Sequence, residues 1–213
     1  MRTMRRVRRP SATLALLLAA GGCSSSSTSP GDRDPNAAQL ADVVRVRECA
    51  GPATNLPADL AAALPPRTGM MRPDDQWADL AAEVPGGFAG VVYDQGRPVL
   101  LLTRPAEAAA AKQALAPHLT GFDVANAEVR QARWDFAQLV DWYNYLTGRG
   151  VWGPGSGVTT GDKDESANRI VYGVADEAAR DRLAASLAAL DLPCDLVLLK
   201  IQAPVVLDAL PGK

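Results

Sequence analysis

The sequence predicts an α+β fold made of two β-β-α-β units, which form an antiparallel or mixed sheet with helices packed on one face. Three observations predict it. The order strand, strand, helix, strand runs over residues 88–132 and again over 157–203, which reads as an internal duplication. Each helix carries one apolar stripe and each hairpin one apolar face to set against it. Breaker prolines close the two helices at matching places, Pro117 in one unit and Pro193 in the other.

The clearer copy is centred on Asn168–Leu190, NRIVYGVADEAARDRLAASLAAL. Val158–Lys163 and Arg169–Val174 pair around the polar turn Asp164–Asn168. Asp176 caps a helix whose apolar stripe is Ala179, Leu183, Leu187 and Leu190. Leu192-Pro193 breaks it, and Cys194–Ile201 is the third strand.

In the other copy, Phe88–Tyr93 and Pro98–Thr103 flank the turn Asp94-Gln95-Gly96, a hairpin pattern. Thr103 is the expected N-cap of a helix over Ala106–Ala116, with Pro105 in its first turn. Phe122–Ala132 reads as a strand. Its apolar period slips between Val124 and Ala127, so a bulge is expected near Asn126.

Ahead of this copy, Ala41–Cys49 alternates Val44 and Val46 with Arg45 and Arg47, a half-exposed strand pattern. Pro57–Leu64 is a short helical piece. Asp74 or Asp75 caps a helix running to about Val84, with Trp77, Leu80, Ala81 and Val84 as its stripe.

Helix 134–147 joins the copies. Phe136, Leu139, Val140, Tyr143 and Leu146 share a face that suits a core. Trp134, Trp142 and Tyr145 fall on the flank and back, and Trp152 follows in the loop Gly148–Gly157. These four are the candidate partner-binding residues, because Trp and Tyr are enriched at interface hot spots. The plainer alternative is a helix buried on both sides.

The first 22 residues read as an export leader. Five arginines precede the apolar run Ala12–Ala20, which is too short to span a bilayer and has the basic flank of a secretory signal. The stretch Ala19-Ala20-Gly21-Gly22-Cys23 resembles the lipobox of bacterial lipoproteins, although Ala20 stands where that box prefers Leu. The resemblance implies that Cys23 receives a diacylglycerol and an amide-linked acyl chain such as palmitate, and becomes the first residue. The alternative is an ordinary signal peptide that contains a cysteine. Residues 23–36 then form a Ser-rich tether of low apolar content, reaching roughly 20 Å as a flexible coil. The folded domain is expected over 37–213. Its place would be the cell envelope, on the outer side of the cytoplasmic membrane or on the outer membrane.

Five of the 22 basic residues lie in the leader, so what remains balances 17 bases against 24 acids, a net −7. That balance argues against nucleic-acid binding, which needs a basic surface. Membrane lipid, through acylated Cys23, and a protein of the envelope are the expected partners. Cys49 and Cys194 are an even pair, which outside the cytoplasm favours a disulfide. Two buried thiols or a metal site are the alternatives, metal being disfavoured because His118 is the single histidine.

No catalytic constellation is legible, and no cofactor or metal is expected. His118 stands alone beside Pro117. Ser156 sits in GPGSG, where Pro154 occupies a position that a nucleophile elbow reserves for glycine. Asp162, Asp164 and Glu165 lack the glycine and distal Glu of an EF-hand loop. Asp74-Asp75 read as helix caps.

The C-terminal unit, over roughly 158–202, resembles the C-terminal subdomain of the prodomains of alpha-lytic-protease-like and streptogrisin-like serine proteases. An acidic turn, then Asn168–Val174, a helix and a short strand carry the likeness. It implies a folding chaperone or inhibitor that lays its sheet on a separate protease, with the tail Gln202–Lys213 as the part to enter a cleft. The leading expectation is a lipid-anchored protein with a non-enzymatic protein-binding or structural domain. The alternatives are a hydrolase or small-ligand binder with an unrecognised site, and the prodomain-like role.

Overall fold

In a computed structural model of the chain, residues 43–47, 51–64 and 73–202 are described below. They form two sheets. The first has the order β2-β3-β4, from Phe88–Asp94, Arg97–Leu102 and Glu128–Gln131. The second has the order β1-β7-β6-β5, from Val43–Arg45, Val197–Ile201, Arg169–Val174 and Val158–Asp164. Helices are α1 (Ala58–Ala61), α2 (Pro73–Glu83), α3 (Ala108–Leu115, after a 3-10 turn at Pro105–Glu107), α4 (Phe136–Gly148) and α5 (Glu177–Ala188).

The two units repeat each other down to backbone register. β2 and β5 each have seven residues, β3 and β6 each have six, and both pairs are antiparallel. A helix then crosses to a strand parallel to the second hairpin strand, β3 with β4 and β6 with β7. Both hairpins carry a register shift at the same place, Phe88/Gly90 and Val158/Thr160. The closing bonds also correspond. Thr103 N donates to Gly87 O as Ala175 N does to Gly157 O, each at 2.9 Å. Ala132 N donates to Leu102 O as Gln202 N does to Val174 O, each at 2.8 Å. The copies differ at the edge, where β1 adds an antiparallel fourth strand to β7.

Turn chemistry explains the hairpins. Gln95 and Gly96 both have positive φ, 48° and 78°, the backbone of a two-residue turn whose twist matches its strands. The second hairpin uses a longer turn that ends on Asn168 at φ 51°. Asn tolerates this region better than other side-chain-bearing residues, because its short amide can bond locally.

One face of the first sheet, through Phe88, Leu100 and Leu102, packs with Ala78 and Leu80 of α2 and Ala111 and Leu115 of α3. The second sheet presents Ile170, Tyr172, Val174 and Leu199 to Ala179, Leu183 and Leu187 of α5. Helix α4 belongs to both cores: Phe136 and Val140 face the first, while Leu139, Trp142 and Leu146 face the second. Its N-terminus is fixed by a reciprocal capping box, in which Asp135 accepts from Gln138 N at 2.8 Å and Gln138 Oε1 accepts from Asp135 N at 3.1 Å.

Four local expectations are corrected. The phase slip at Asn126 is not a bulge. Residues 122–127 turn, with Asp123 accepting from Asn126 N and Nδ2, and the strand begins only at Glu128. Thr103 is not the cap of its helix. Arg104 precedes the 3-10 turn and Glu107 holds the N-cap position of α3, neither capping through its side chain; the Glu107 carboxylate instead accepts from Gly86 N at 2.7 Å. Asp74 and Asp75 lie within the first turn of α2, not before it. The last strand starts at Val197, because Asp195, at φ 55°, still turns the chain.

Candidate functional site

The aromatic segment does not form one exposed patch. Trp134 and Trp142 are buried in the second core, and Trp142 Nε1 donates to Thr54 O at 2.9 Å. Tyr145 is half-buried against Trp142, with ring centroids 5.8 Å apart and nearly perpendicular. Trp152 is the member that reaches solvent, at 39 % exposure. The two-sided burial of α4 explains Trp142 and Tyr145, since a helix shared by two cores has little free surface, and Trp134 is buried just before its N-cap.

Trp152 lies over strand β5. A Cβ on Gly161 would strike Trp152 Cζ2 and would lie 2.9 Å from Tyr172 Cε1, so the glycine makes room for both rings. Tyr143 stacks on Tyr172 at 6.1 Å, and Trp152 meets Tyr172 edge-on at 6.4 Å. Tyr172 is fully buried and its hydroxyl finds no hydrogen-bond partner among the described residues; burial drives its pKa far upward. Among the described residues, β5 pairs on one side only, with β6, and is the edge of its sheet.

Beyond Gly161 the strand carries Lys163, whose side chain is 7 % exposed. Its ammonium sits 2.9 Å from Asp74 Oδ2 on α2 and 3.9 Å from the centroid of the Tyr143 ring. A carboxylate and an aromatic face thus compensate a cation largely removed from water. Glu165 follows in the turn, its carboxyl pushed up by burial and then by Asp162, Asp164 and Asp74. A Cβ on Gly90, at φ 126°, would lie 2.6 Å from Glu165 Cγ, so the turn rests directly on the first sheet. Glu165 therefore belongs to a packed joint between the units, whereas Asp162 is exposed and Asp164 bonds within its own turn, to Ser166 and Ala167. No group of three metal-ligating side chains occurs among the described residues.

His118 is exposed after α3. Ser156 is half-buried in the loop after α4, where its Oγ accepts from Val158 N at 3.2 Å. Cys23 and Cys49 lie outside the described residues, as does the tail beyond Gln202. Cys194 is half-buried beside Gly51: a Cβ on that glycine would lie 2.9 Å from Cys194 Sγ. Arg133 ties the same region, donating to the carbonyls of Gly51 and Cys194 and pairing with Asp195. No helix among the described residues is long and apolar enough to cross a membrane.

A feature that the sequence does not announce is the cleft between the loop Gly148–Ser156 and helix α5, about 650 Å³ in volume. Arg149 and Arg182 stand among its lining residues, over the buried side chains of Val151, Leu183 and Leu187. The glycine-rich composition of the loop is the one signal that could have pointed to it.

The fold is thus a repeated β-β-α-β domain of the α+β class, its exposed chemistry gathered around β5 and the loop before it. The chain matches no protein-family model, and no curated protein is significantly similar to it.

Proposed function

We propose that this protein is an exported lipoprotein, held at the outer side of a membrane through acylated Cys23, whose α+β domain binds another envelope protein without catalysing a reaction. The observation that supports the binding role is the β5 edge with Trp152 beside it. An edge strand offers unpaired backbone groups to an extended segment, and a half-exposed Trp beside it offers a rigid anchor. The apolar leader and Ser-rich tether support the anchor, because a flexible coil lets a domain stand off the membrane that holds it.

Two measurements test this reading. Cys23→Ser should release the protein from the membrane fraction and abolish labelling by an alkyne-tagged palmitate; a variant that stays membrane-bound would remove the anchor. For the domain, a photo-crosslinking residue at Thr159 should capture one discrete envelope protein in intact cells. Trp152→Ala should weaken that capture severalfold while leaving the circular dichroism spectrum unchanged. Capture that is absent, or indifferent to Trp152, would remove the β5 surface.

A further inference from the structure

The cleft between the Gly148–Ser156 loop and α5 combines three properties that seldom coincide by packing alone. Its size falls within the range of small-molecule sites, at about 650 Å³. Its floor is apolar, since Val151, Leu183 and Leu187 are 8 %, 6 % and 1 % exposed. Its lining has two arginines and no carboxylate, in a chain whose acids outnumber its bases.

Neither arginine is neutralised by an acid among the described residues. Arg149 has its guanidinium 6.0 Å from the centroid of the Tyr145 ring, a contact that leaves its N–H edge available. Arg182 makes no ion pair among the described residues, although its helix neighbour Arg180 pairs with Asp181 at 3.1 Å. Ser156 Oγ accepts from Val158 N, so its own hydrogen remains to be donated. The loop is built to wrap the helix. Gly150 and Gly155 take φ of 81° and 82°, and a Cβ on Gly157 would lie 2.5 Å from Ala179 Cβ, in the first turn of α5.

From this geometry we infer that the cleft is a binding site for an anionic amphiphile, a carboxylate or phosphate carried on a short aliphatic body. The two guanidiniums and the Ser156 hydroxyl take the anion, and the apolar floor takes the chain. Arginine forks suit both oxyanions, so a fatty acid and a phosphate monoester of a lipid share this chemistry. The loop that walls the cleft also carries Trp152, but the site uses neither Trp152 nor the β5 edge and does not rest on the β5 reading.

Isothermal titration calorimetry on the purified C23S chain, kept free of detergent, tests the assignment. Decanoate and decyl phosphate are the probes, with inorganic phosphate, decanol and decyltrimethylammonium as comparisons. At least one anionic amphiphile should bind better than all three comparisons. Decanoate the tighter would indicate a fatty acid, decyl phosphate the tighter a lipid phosphate. The double variant R149E/R182E should weaken binding by at least about tenfold, the worth of one charge-assisted hydrogen bond. Ser186→Trp, at an exposed position on the cleft wall, should also weaken it, with the fold of both variants checked by circular dichroism. Equal binding of decyltrimethylammonium or decanol would overturn the anionic half, and equal binding of inorganic phosphate the amphiphilic half. No binding at millimolar concentration, or affinity unchanged in R149E/R182E, would overturn the whole assignment.

Discussion

Asn168 and Trp134 exchange hydrogen bonds in both directions across 34 residues of sequence. Asn168 Oδ1 accepts from Trp134 N and Nδ2 donates to Trp134 O, each at 2.8 Å, and Oδ1 also accepts from Arg133 N at 2.7 Å. The amide imitates a strand neighbour for the chain entering α4. It does so from a hairpin turn of the other unit, at 8 % exposure.

Asn168→Ala should therefore lower stability by about 3–5 kcal/mol, since it strands buried backbone groups and leaves Ala at positive φ. Asn168→Gly removes the same bonds but accepts the backbone, and should be about 1 kcal/mol less harmful. Denaturant midpoints of the two variants measure the split. Equal losses would show that the left-handed turn costs nothing.

Lys163 and Asp74 connect β5 to α2, and the pair is buried on one side only, with side-chain exposures of 7 % and 48 %. A fully buried pair broken on one side costs about 3–5 kcal/mol. The exposed carboxylate argues for less, about 1–2 kcal/mol for Asp74→Asn. Adding Lys163→Met to that variant should recover most of the loss, because the buried cation disappears. A double-mutant cycle reads this coupling, and additive losses would contradict it.

Glu165 should make stability depend on pH in a direction opposite to that of the exposed ion-paired acids. Burial, and then its acidic neighbours, raise its carboxyl above the ordinary 4.5, so the folded state holds the proton more firmly than the unfolded one. The resulting stabilisation is present below pH 4.5 and is lost as pH rises through the elevated folded value. Asp94 and Glu128, lowered by Arg130, act the other way and lose their contribution as pH falls. Glu165→Gln should flatten the decline above pH 4.5 and be more stable than the parent at pH 7. Thermal melts between pH 4 and 8 provide the comparison, and parallel profiles would refute the assignment.

Cys194 lies against Gly51, two residues beyond Cys49. We propose that the two cysteines are bonded, closing a loop of about 145 residues and adding on the order of 5 kcal/mol. Denatured, unreduced protein should then resist alkylation at both positions. Cys194→Ser should lower the denaturation midpoint, and a reductant should bring the parent down to the same value. Alkylation of either cysteine without reduction would exclude the bond.

Much of the architecture is legible in the sequence because it rests on local rules. Period-two apolar runs, the cap Asp176 and the breakers Pro117 and Pro193 mark elements within a few residues of their ends, whereas apolar spacing begins α4 at Trp134 and passes over its cap, Asp135. The failures lie where tertiary contacts decide. Ala127 looks like strand because apolar spacing cannot separate a buried turn from a bulge. Trp142 looks like surface because a helix wheel has no way to register a second core on its far side. Lys163 and Glu165 look like a solvated hairpin end, yet α2 and Gly90 cover them from distant parts of the chain. The cleft on α5 leaves only the glycine-rich loop as a trace in the sequence, since Arg149 and Arg182 come to line one cavity through the path of that loop.

Helix α4 gives Phe136 and Val140 to one core and Leu139, Trp142 and Leu146 to the other. Two such units, each with its own hairpin and crossover, look separable on a topology diagram. They are thermodynamically one, because loss of either half opens the helix that the other half needs. Unfolding should accordingly be a single cooperative transition. Neither copy alone should fold, because each would expose the face of α4 that its twin now covers.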